Sequence, residues 1–268
     1  MDTDIRVSLA VLSSRIGQTD DNLSRTVRWV KASHSAGSRI ICFPEAGITG
    51  YSNRAEIRRV AEPVPGPFTD ALCRTAGQYD MVILAGMVED AGGGVVYASH
   101  LVIKPDRTIG LYRKLHIPPQ EKPVISPGED IPLFEVDGMR FGIQLCYDAH
   151  FPGLAGKMAE RGADAIFIPH ASPRASSKEK LASWMRHLPA RAYDNSIYIL
   201  ACNPAGSNGS GLHFSGLSVV IGPSGRVLKK DISGRQGLLT VDLSSADLAT
   251  VRANPMHYFL PARRPELY

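Results

Sequence analysis

Cysteine is scarce in this 268-residue chain: there are four, Cys42, Cys73, Cys146 and Cys202. No two stand at C-x-x-C spacing and no histidine cluster joins them, which argues against a zinc site and against a disulfide framework. Long apolar runs are also missing. No window approaches the ~18 apolar residues that a membrane helix takes. The start, MDTDIRVSLAVLSS, opens on acids where a signal peptide opens on basic residues. A cytoplasmic protein without a membrane partner is expected. An excess of one charge is lacking as well: 30 Lys and Arg face 26 Asp and Glu, a formal net charge of +4. Arg54, Arg58 and Arg59 cluster, as do Lys229 and Lys230, but neither group makes a stripe or a tail. They read as solvated faces, so nucleic acid is not expected as a partner. Internal repeats, low-complexity tracts and long linkers are absent too. One domain over residues 1–268 is expected, long enough to bury a sizeable core.

What is present alternates in type. RVSLAVLSS (6–14) reads as a strand, and a helix follows over 19–37, with Leu23, Val27 and Val30 at helical spacing and Gly37 as its stop. SRIICFPE is a short strand, apolar enough to be buried on both faces. Helical patterns at 53–59 and 68–78 flank the EPVPGP loop. Strands then crowd together over 81–89, 94–104, 108–114 and 132–146, the last split by the hairpin signal Asp137–Gly138. A helix over 151–163, a strand over 164–170, a helix or helix pair around Pro189, and strands over 196–203, 217–230 and 236–243 complete the pattern, with a short helix near 245–252. Helices between strands, with many strands hairpin-linked, predict an α/β fold. It has a mixed sheet or two stacked sheets with helices outside.

The stretch FGIQLCYDAHFP (141–152) poses the functional question. Cys146 ends an apolar strand just before a helix. Backbone N–H groups at such a junction can activate a thiol and hold an oxyanion. A buried core thiol is the plain alternative. Glu45, in FPEAGITGY, follows a buried-looking strand, and apolar surroundings there would raise its pKa towards that of a general base. Lys114, in YRKLHIP, is placed to stabilise an oxyanion. Glu121, seven residues on, is placed to hold that lysine charged or to orient a substrate amine. His116, His150 and His170 compete as bases, because Cys–His is the commoner thiol pairing. Spacing alone does not rank them.

A resemblance does. FPEAGITGY, EPVPGP, ILAGMVE, YRKLHIPPQE, PGED, GIQLCYD, ARAYDNSIYILACN, SGLSVVIGPSGRVL and RRPELY together resemble the nitrilase, or carbon–nitrogen hydrolase, superfamily nearly end to end. The resemblance implies a four-layer α-β-β-α sandwich, usually dimerised through its outer helices. Here those would be the helices after Cys146 and around Trp184. It implies a catalytic triad of Glu45, Lys114 and Cys146, with Glu121 in support and the Tyr147 N–H in the oxyanion hole. Neither metal nor organic cofactor is implied. The reaction implied is hydrolysis of a small linear amide through a Cys146 thioester, with release of ammonia.

Two departures bear on specificity. Many members carry Arg and Glu in CYDxRFPE, where this chain has His150 and Gly153. The missing Arg argues against N-carbamoyl amino acids, in whose hydrolases it helps bind the carboxylate. The short chain lacks the extended C-terminal region of the nitrile-hydrolysing branch. N-carbamoyl compounds and nitriles therefore stay as alternatives to the amide. His150 is a candidate substrate contact, as are His170, Ala171 and Arg174 in PHASPRASS, and Asn203 at the end of YILACN. Outside the family reading stand a non-catalytic binding protein on the same fold and a Cys–His hydrolase of another fold.

Overall fold

The computed structural model describes residues 1–173, 176–264, 266 and 267. The chain begins with β1 (Ile5–Val11), α1 (Thr19–Ser35), β2 (Ile40–Cys42), a 3-10 helix (Ala55–Val60), α2 (Pro67–Tyr79), β3 (Val82–Asp90), β4 (Val96–Ile103) and β5 (Ile109–Arg113). After a loop come β6 (Phe134–Val136), β7 (Met139–Ile143), a 3-10 helix (Cys146–His150), α3 (Pro152–Glu160), β8 (Ala165–Pro169), α4 (Ser177–Trp184), α5 (Leu188–Asn195) and β9 (Tyr198–Asn203). The rest contributes β10 (Gly206–Ser207), β11 (His213–Phe214), β12 (Leu217–Ile221), β13 (Val227–Asp231), β14 (Gly237–Leu243) and α6 (Ser245–Ala253).

Local chemistry explains these boundaries. Asp20 and Asp21 occupy the first turn of α1, where carboxylates meet the positive end of the helix dipole. Pro152 opens α3 at a position that needs no N–H donor. Asp137 and Gly138 both take positive φ, 49° and 77°, which closes the β6–β7 hairpin with the right twist. Val30 is buried, but Leu23 and Val27 sit at the margin while Asn22 and Thr26 are buried. Asn22 is drawn inward because its amide binds the Arg15 backbone on both sides and the Ile48 carbonyl.

Two six-stranded sheets result, ordered β14-β1-β2-β3-β4-β5 and β13-β12-β9-β8-β7-β6. Within each, three neighbouring strands run parallel through helical crossovers, and the flanking strands are antiparallel. The sequence has no visible repeat, yet β1 to β5 and β7, β8, β9, β12, β13 follow one topology. Each run of five gains one antiparallel edge strand beside its first member.

Strand periodicity assigns the faces. Along β3, Val82, Leu84 and Val88 join the core that also holds Phe141, Ile143 and Leu217, whereas Ile83, Ala85 and Met87 join a second core with Val30, Leu72 and Ala76 of α1 and α2. The first sheet is thus covered by the second sheet on one side and by helices on the other. α3 and α5 pack outside the second sheet. This is the four-layer α-β-β-α sandwich. The ribbon of β10 and β11 has too few residues per strand to leave an alternation in the sequence.

The topology also fixes where loops emerge. β2 and β3 are parallel, and β4 then β5 each reverse direction, so β5 runs with β3. Glu45 just after β2 and Lys114 just after β5 therefore leave the first sheet at the same end. Cys146 after β7 and His170 after β8 leave the second sheet together, at the carboxyl ends of parallel strands.

Candidate active site

Glu45 rides on a loop pressed against β3. Gly86 makes this possible: a Cβ there would lie 2.5 Å from the Ala46 nitrogen and 2.9 Å from the Pro44 oxygen. The Ile48 N–H donates to the Gly86 carbonyl at 3.0 Å, and the Glu45 N–H donates across the sheets to the His170 carbonyl at 3.2 Å. The side chain is 3% exposed. Its Oε1 accepts from Lys114 Nζ at 2.8 Å, while its Oε2 is buried with no hydrogen-bond partner among the described residues. Lys114 Nζ donates equally to Glu121 Oε2 at 2.8 Å, and the Tyr51 hydroxyl donates to Glu121 Oε1. One ammonium thus lies between two carboxylates.

Cys146 begins a 3-10 helix in a left-handed conformation, φ 43°. A non-glycine residue there is strained, and surrounding contacts must hold it. Asp148 supplies them. Its Oδ2 accepts from the Tyr112 hydroxyl at 2.8 Å and the Leu145 N–H at 3.0 Å. Its Oδ1 accepts from the His116 N–H and the His116 ring Nδ1, both at 2.8 Å. Two strand ends are thereby tied to the turn that presents the thiol.

The charges shape each other. Burial pushes the Glu45 carboxyl up to about 7. Lys114 pulls against that shift, and the Glu121 charge adds to it. Burial also works against a charged Lys114, but the two carboxylates outweigh it and hold the ammonium. The Cys146 thiol rises to about 11, first through burial and then through Glu45, with Lys180 and Lys114 pulling it down. The three groups titrate as a set. In it a protonated thiol sits near a carboxyl poised at neutral pH, the condition for a general base to activate a weak nucleophile.

Cys146 opens into a cavity of about 260 Å³. Tyr51, Glu121, Tyr147, His150, His170 and Ala171 line it, so most of the expected contacts come together. Glu45 and Lys114 do not line it and connect to it through Glu121. Asn203 does not line it either. Its Oδ1 accepts from Ser172 N–H at 2.9 Å and its Nδ2 donates to Ser172 O at 3.2 Å, so it braces the Ala171–Ser172 segment instead. Arg174 lies outside the described residues. Two of the competing histidines have one ring nitrogen engaged, and the third, His150, lines the cavity. His170 Nδ1 must donate to the Ile168 carbonyl at 2.8 Å, and burial, then Lys180, holds the ring neutral. His116 is bound to Asp148 and stacked on Phe151 at 3.7 Å. Among the described residues no cluster of three or more His, Cys, Asp or Glu is placed to hold a metal ion.

Sequence reasoning missed Asp148, Tyr51, Gly86 and the wall formed by Lys180, Trp184 and His187. Asp148 stands two residues from Cys146, but its partners come from β5 and the loop after it. Lys180, Trp184 and His187 stand at i, i+4 and i+7, a spacing that could have marked one helical face.

Comparison with known proteins agrees with this geometry. The sequence model of the carbon-nitrogen hydrolase family matches residues 6–253. An (R)-stereoselective amidase of Pseudomonas sp. is 30% identical over 84% of this chain and 80% of its own length. The omega-amidase of Homo sapiens is 28% identical over 91% of each chain. Among solved structures, a mutant amidase from Nesterenkonia sp. AN1 in complex with butyramide superposes with a TM-score of 0.85. It is 25% identical, with 99% of this chain and 96% of that one covered. Another mutant of the same amidase shows covalent addition of the acetamide moiety of fluoroacetamide at the active site cysteine.

Proposed function

The chain belongs to the carbon–nitrogen hydrolase family and is an enzyme of its amidase kind, and on that premise we propose that Cys146 is the nucleophile that hydrolyses small linear amides. The observation that carries this reading is the division of labour within Glu45: Lys114 fixes Oε1, and Oε2 is buried and unpartnered. A carboxylate oxygen in that state, poised near neutral pH, takes the Cys146 proton.

The sulfur then attacks the amide carbon. Lys114 and the Tyr147 N–H, a donor in the first turn of its 3-10 helix, hold the tetrahedral oxyanion. Glu45 returns the proton to the leaving nitrogen and ammonia departs. Glu45 next draws a proton from water, whose oxygen attacks the thioester carbon. The carboxylic acid leaves and Cys146 recovers its proton. Glu121, pinned by Tyr51, holds Lys114 charged throughout. A Cys–His enzyme using His150 or His170, which line the same cavity, should keep most of its activity in Glu45→Gln, whereas the Glu45 mechanism should not.

The proposal extends to a cytoplasmic homodimer that takes no nucleic acid. Among the described residues no helix is long and apolar enough to cross a membrane. Tyr193 of α5 and Phe259 leave apolar surface exposed, with ring centroids 5.5 Å apart, on the side expected to pair.

The test is ammonia release from aliphatic amides, monoamides of dicarboxylic acids, N-carbamoyl compounds and nitriles, with Cys146→Ala in parallel. Amide turnover that disappears in the variant is expected. Turnover of N-carbamoyl compounds or nitriles alone would replace the amide assignment. A Cys146 that alkylates no faster than Cys42, Cys73 or Cys202, together with no turnover, would remove the catalytic reading.

A further inference from the structure

The ribbon of β10 and β11, with the turn that joins them, belongs to neither six-stranded sheet. None of its residues, 206–214, lines the cavity, and the mechanism asks nothing of it. Its contacts nevertheless converge on one place. Asn208 is fully buried. Its Oδ1 accepts from the N–H groups of Ser210 and Leu212 at 2.8 and 2.9 Å. Only an oxygen can accept both, so the orientation of the amide is settled. The Nδ2 is left facing the first half of the chain, and it donates to the Tyr51 carbonyl at 3.0 Å.

Other contacts tighten this grip. Phe214 meets the Tyr51 ring edge-on, with centroids 6.2 Å apart. Ser210 Oγ donates to Glu56 Oε1 at 2.7 Å, the oxygen that also takes the Ser52 hydroxyl. The Asn208 carbonyl accepts from the Ile16 N–H at 2.9 Å, and a Cβ at Gly50 would lie 2.5 Å from that same nitrogen. The ribbon thus holds residues 50–56 by backbone, ring and carboxylate. What it holds matters because Tyr51 lines the cavity and its hydroxyl donates to Glu121 Oε1. Glu121 Oε2 and Glu45 Oε1 each accept from Lys114 at 2.8 Å. An unbroken chain therefore runs from Asn208 through Tyr51, Glu121 and Lys114 to Glu45. The Tyr51 hydroxyl sits at the end of a rigid ring, so a shift of the Tyr51 backbone moves it off Glu121 and loosens the ammonium between its two carboxylates.

We propose that the β10–β11 ribbon positions the catalytic cluster, with Asn208 as the positioning residue, acting through Tyr51 and Glu121. The second half of the chain thereby reaches back to set the geometry of the base in the first. This inference rests on the amidase reading of Cys146.

The experiment is a double-mutant cycle on kcat and KM for butyramide in the natural protein, Asn208→Ala, Tyr51→Phe and the double variant, with thermal unfolding in parallel. Tyr51→Phe should lower kcat about 10- to 100-fold and Asn208→Ala about 10-fold, the latter with little change in KM. With the Tyr51 hydroxyl gone there is nothing left to position, so Asn208→Ala should then cost less than about twofold in kcat. Its loss of melting temperature should persist in that background, because the bond to the Tyr51 carbonyl is still removed. Equal kcat losses in both backgrounds, or an effect on KM alone, would overturn the positioning role. A second readout needs no turnover: the pH profile of Cys146 alkylation by iodoacetamide, since Glu45, Lys114 and Glu121 all act on that thiol. Asn208→Ala should shift it in the same direction as Tyr51→Phe, and the double variant no further. A profile that Asn208→Ala leaves in place, or that moves further in the double variant, would overturn the proposal. If butyramide and the other amides are not hydrolysed, the amidase reading fails and the alkylation profile alone decides the role of the ribbon. Asn208→Asp keeps the acceptor of the turn but sets an oxygen against the Tyr51 carbonyl. It serves if Asn208→Ala does not fold, and a similar loss of kcat is expected from it.

Discussion

The two halves of this molecule share a topology and, on the proposed mechanism, divide a reaction. In the first, the ends of β2 and β5 carry Glu45 and Lys114, which meet in a buried, ion-paired cluster with Glu121. In the second, the end of β7 carries a thiol in a strained turn, and Lys180 and Trp184 of α4 line the cavity beside it. The ion-paired cluster of the first half leaves Glu45 Oε2 without a partner among the described residues, and in the second half Trp184 Nε1 and His187 Nε2, on residues that line the cavity, have none either. A repeated frame evidently does not repeat its chemistry. Strand order fixes where side chains emerge, and the loops decide what they do. On the proposed mechanism neither half holds a working site alone, because the base follows a strand of one sheet and the nucleophile a strand of the other.

The comparison breaks most completely at the nucleophile. Cys146→Ala should lower amide turnover by at least about 10⁴-fold and leave the melting temperature nearly unchanged, read by ammonia release and by thermal unfolding. Residual turnover above one per cent would mean that the second half does not supply the nucleophile.

Glu45→Gln tests the other partner. It keeps the shape and removes the base, so a loss of about 10²–10⁴-fold in kcat is expected. Its pH profile carries more information. With the carboxyl raised to about 7, the basic form gains population as pH rises through 7, so kcat/KM should climb there and fall off on the acid side. In the glutamine variant that acid limb should vanish. An unchanged limb would assign the titration to another group.

Gly86→Ala tests whether the loop after β2 must lie flat on β3. The added Cβ, 2.5 Å from the Ala46 nitrogen, forces the Glu45 backbone outward. A displacement of about 1 Å can cost about 10²-fold, so kcat should fall by roughly that factor while alkylation of Cys146 by iodoacetamide persists. Loss of both together would show that the loop shapes the whole cavity.

The smallest effect belongs to Asn203→Ala. It removes the two bonds to Ser172, worth about 1–2 kcal/mol, and should lower the melting temperature by about 2–6 °C and raise KM more than it lowers kcat. A kcat effect equal to that of Glu45→Gln would place Asn203 in the chemistry rather than behind it.

Much of this was legible in the sequence where the signal is local. The Asp137–Gly138 turn, the Asp-rich start of α1 and the apolar runs of β2 and β8 each report on their own neighbourhood. Glu45, Lys114 and Cys146 were individually weak and became a set through motifs matched along the chain. What stayed hidden depends on distant partners. Asp148 looks like any acid until Tyr112 and His116 are brought to it. Gly86 looks like a weakness in a strand until the Glu45 loop lies across it. Leu23 and Val27 mark α1 as a helix, but the deeper position belongs to Asn22, because buried carbonyls of the neighbouring loops need donors. The twofold repeat of topology left no trace in residue identities, since burial constrains only polarity and size at most strand positions.

β14 pairs with β1 so that Leu243 lies opposite Ile5. The first sheet therefore waits for nearly the last strand to be translated. The edge of the sheet that carries Glu45 and Lys114 is thus closed by residues from late in the chain.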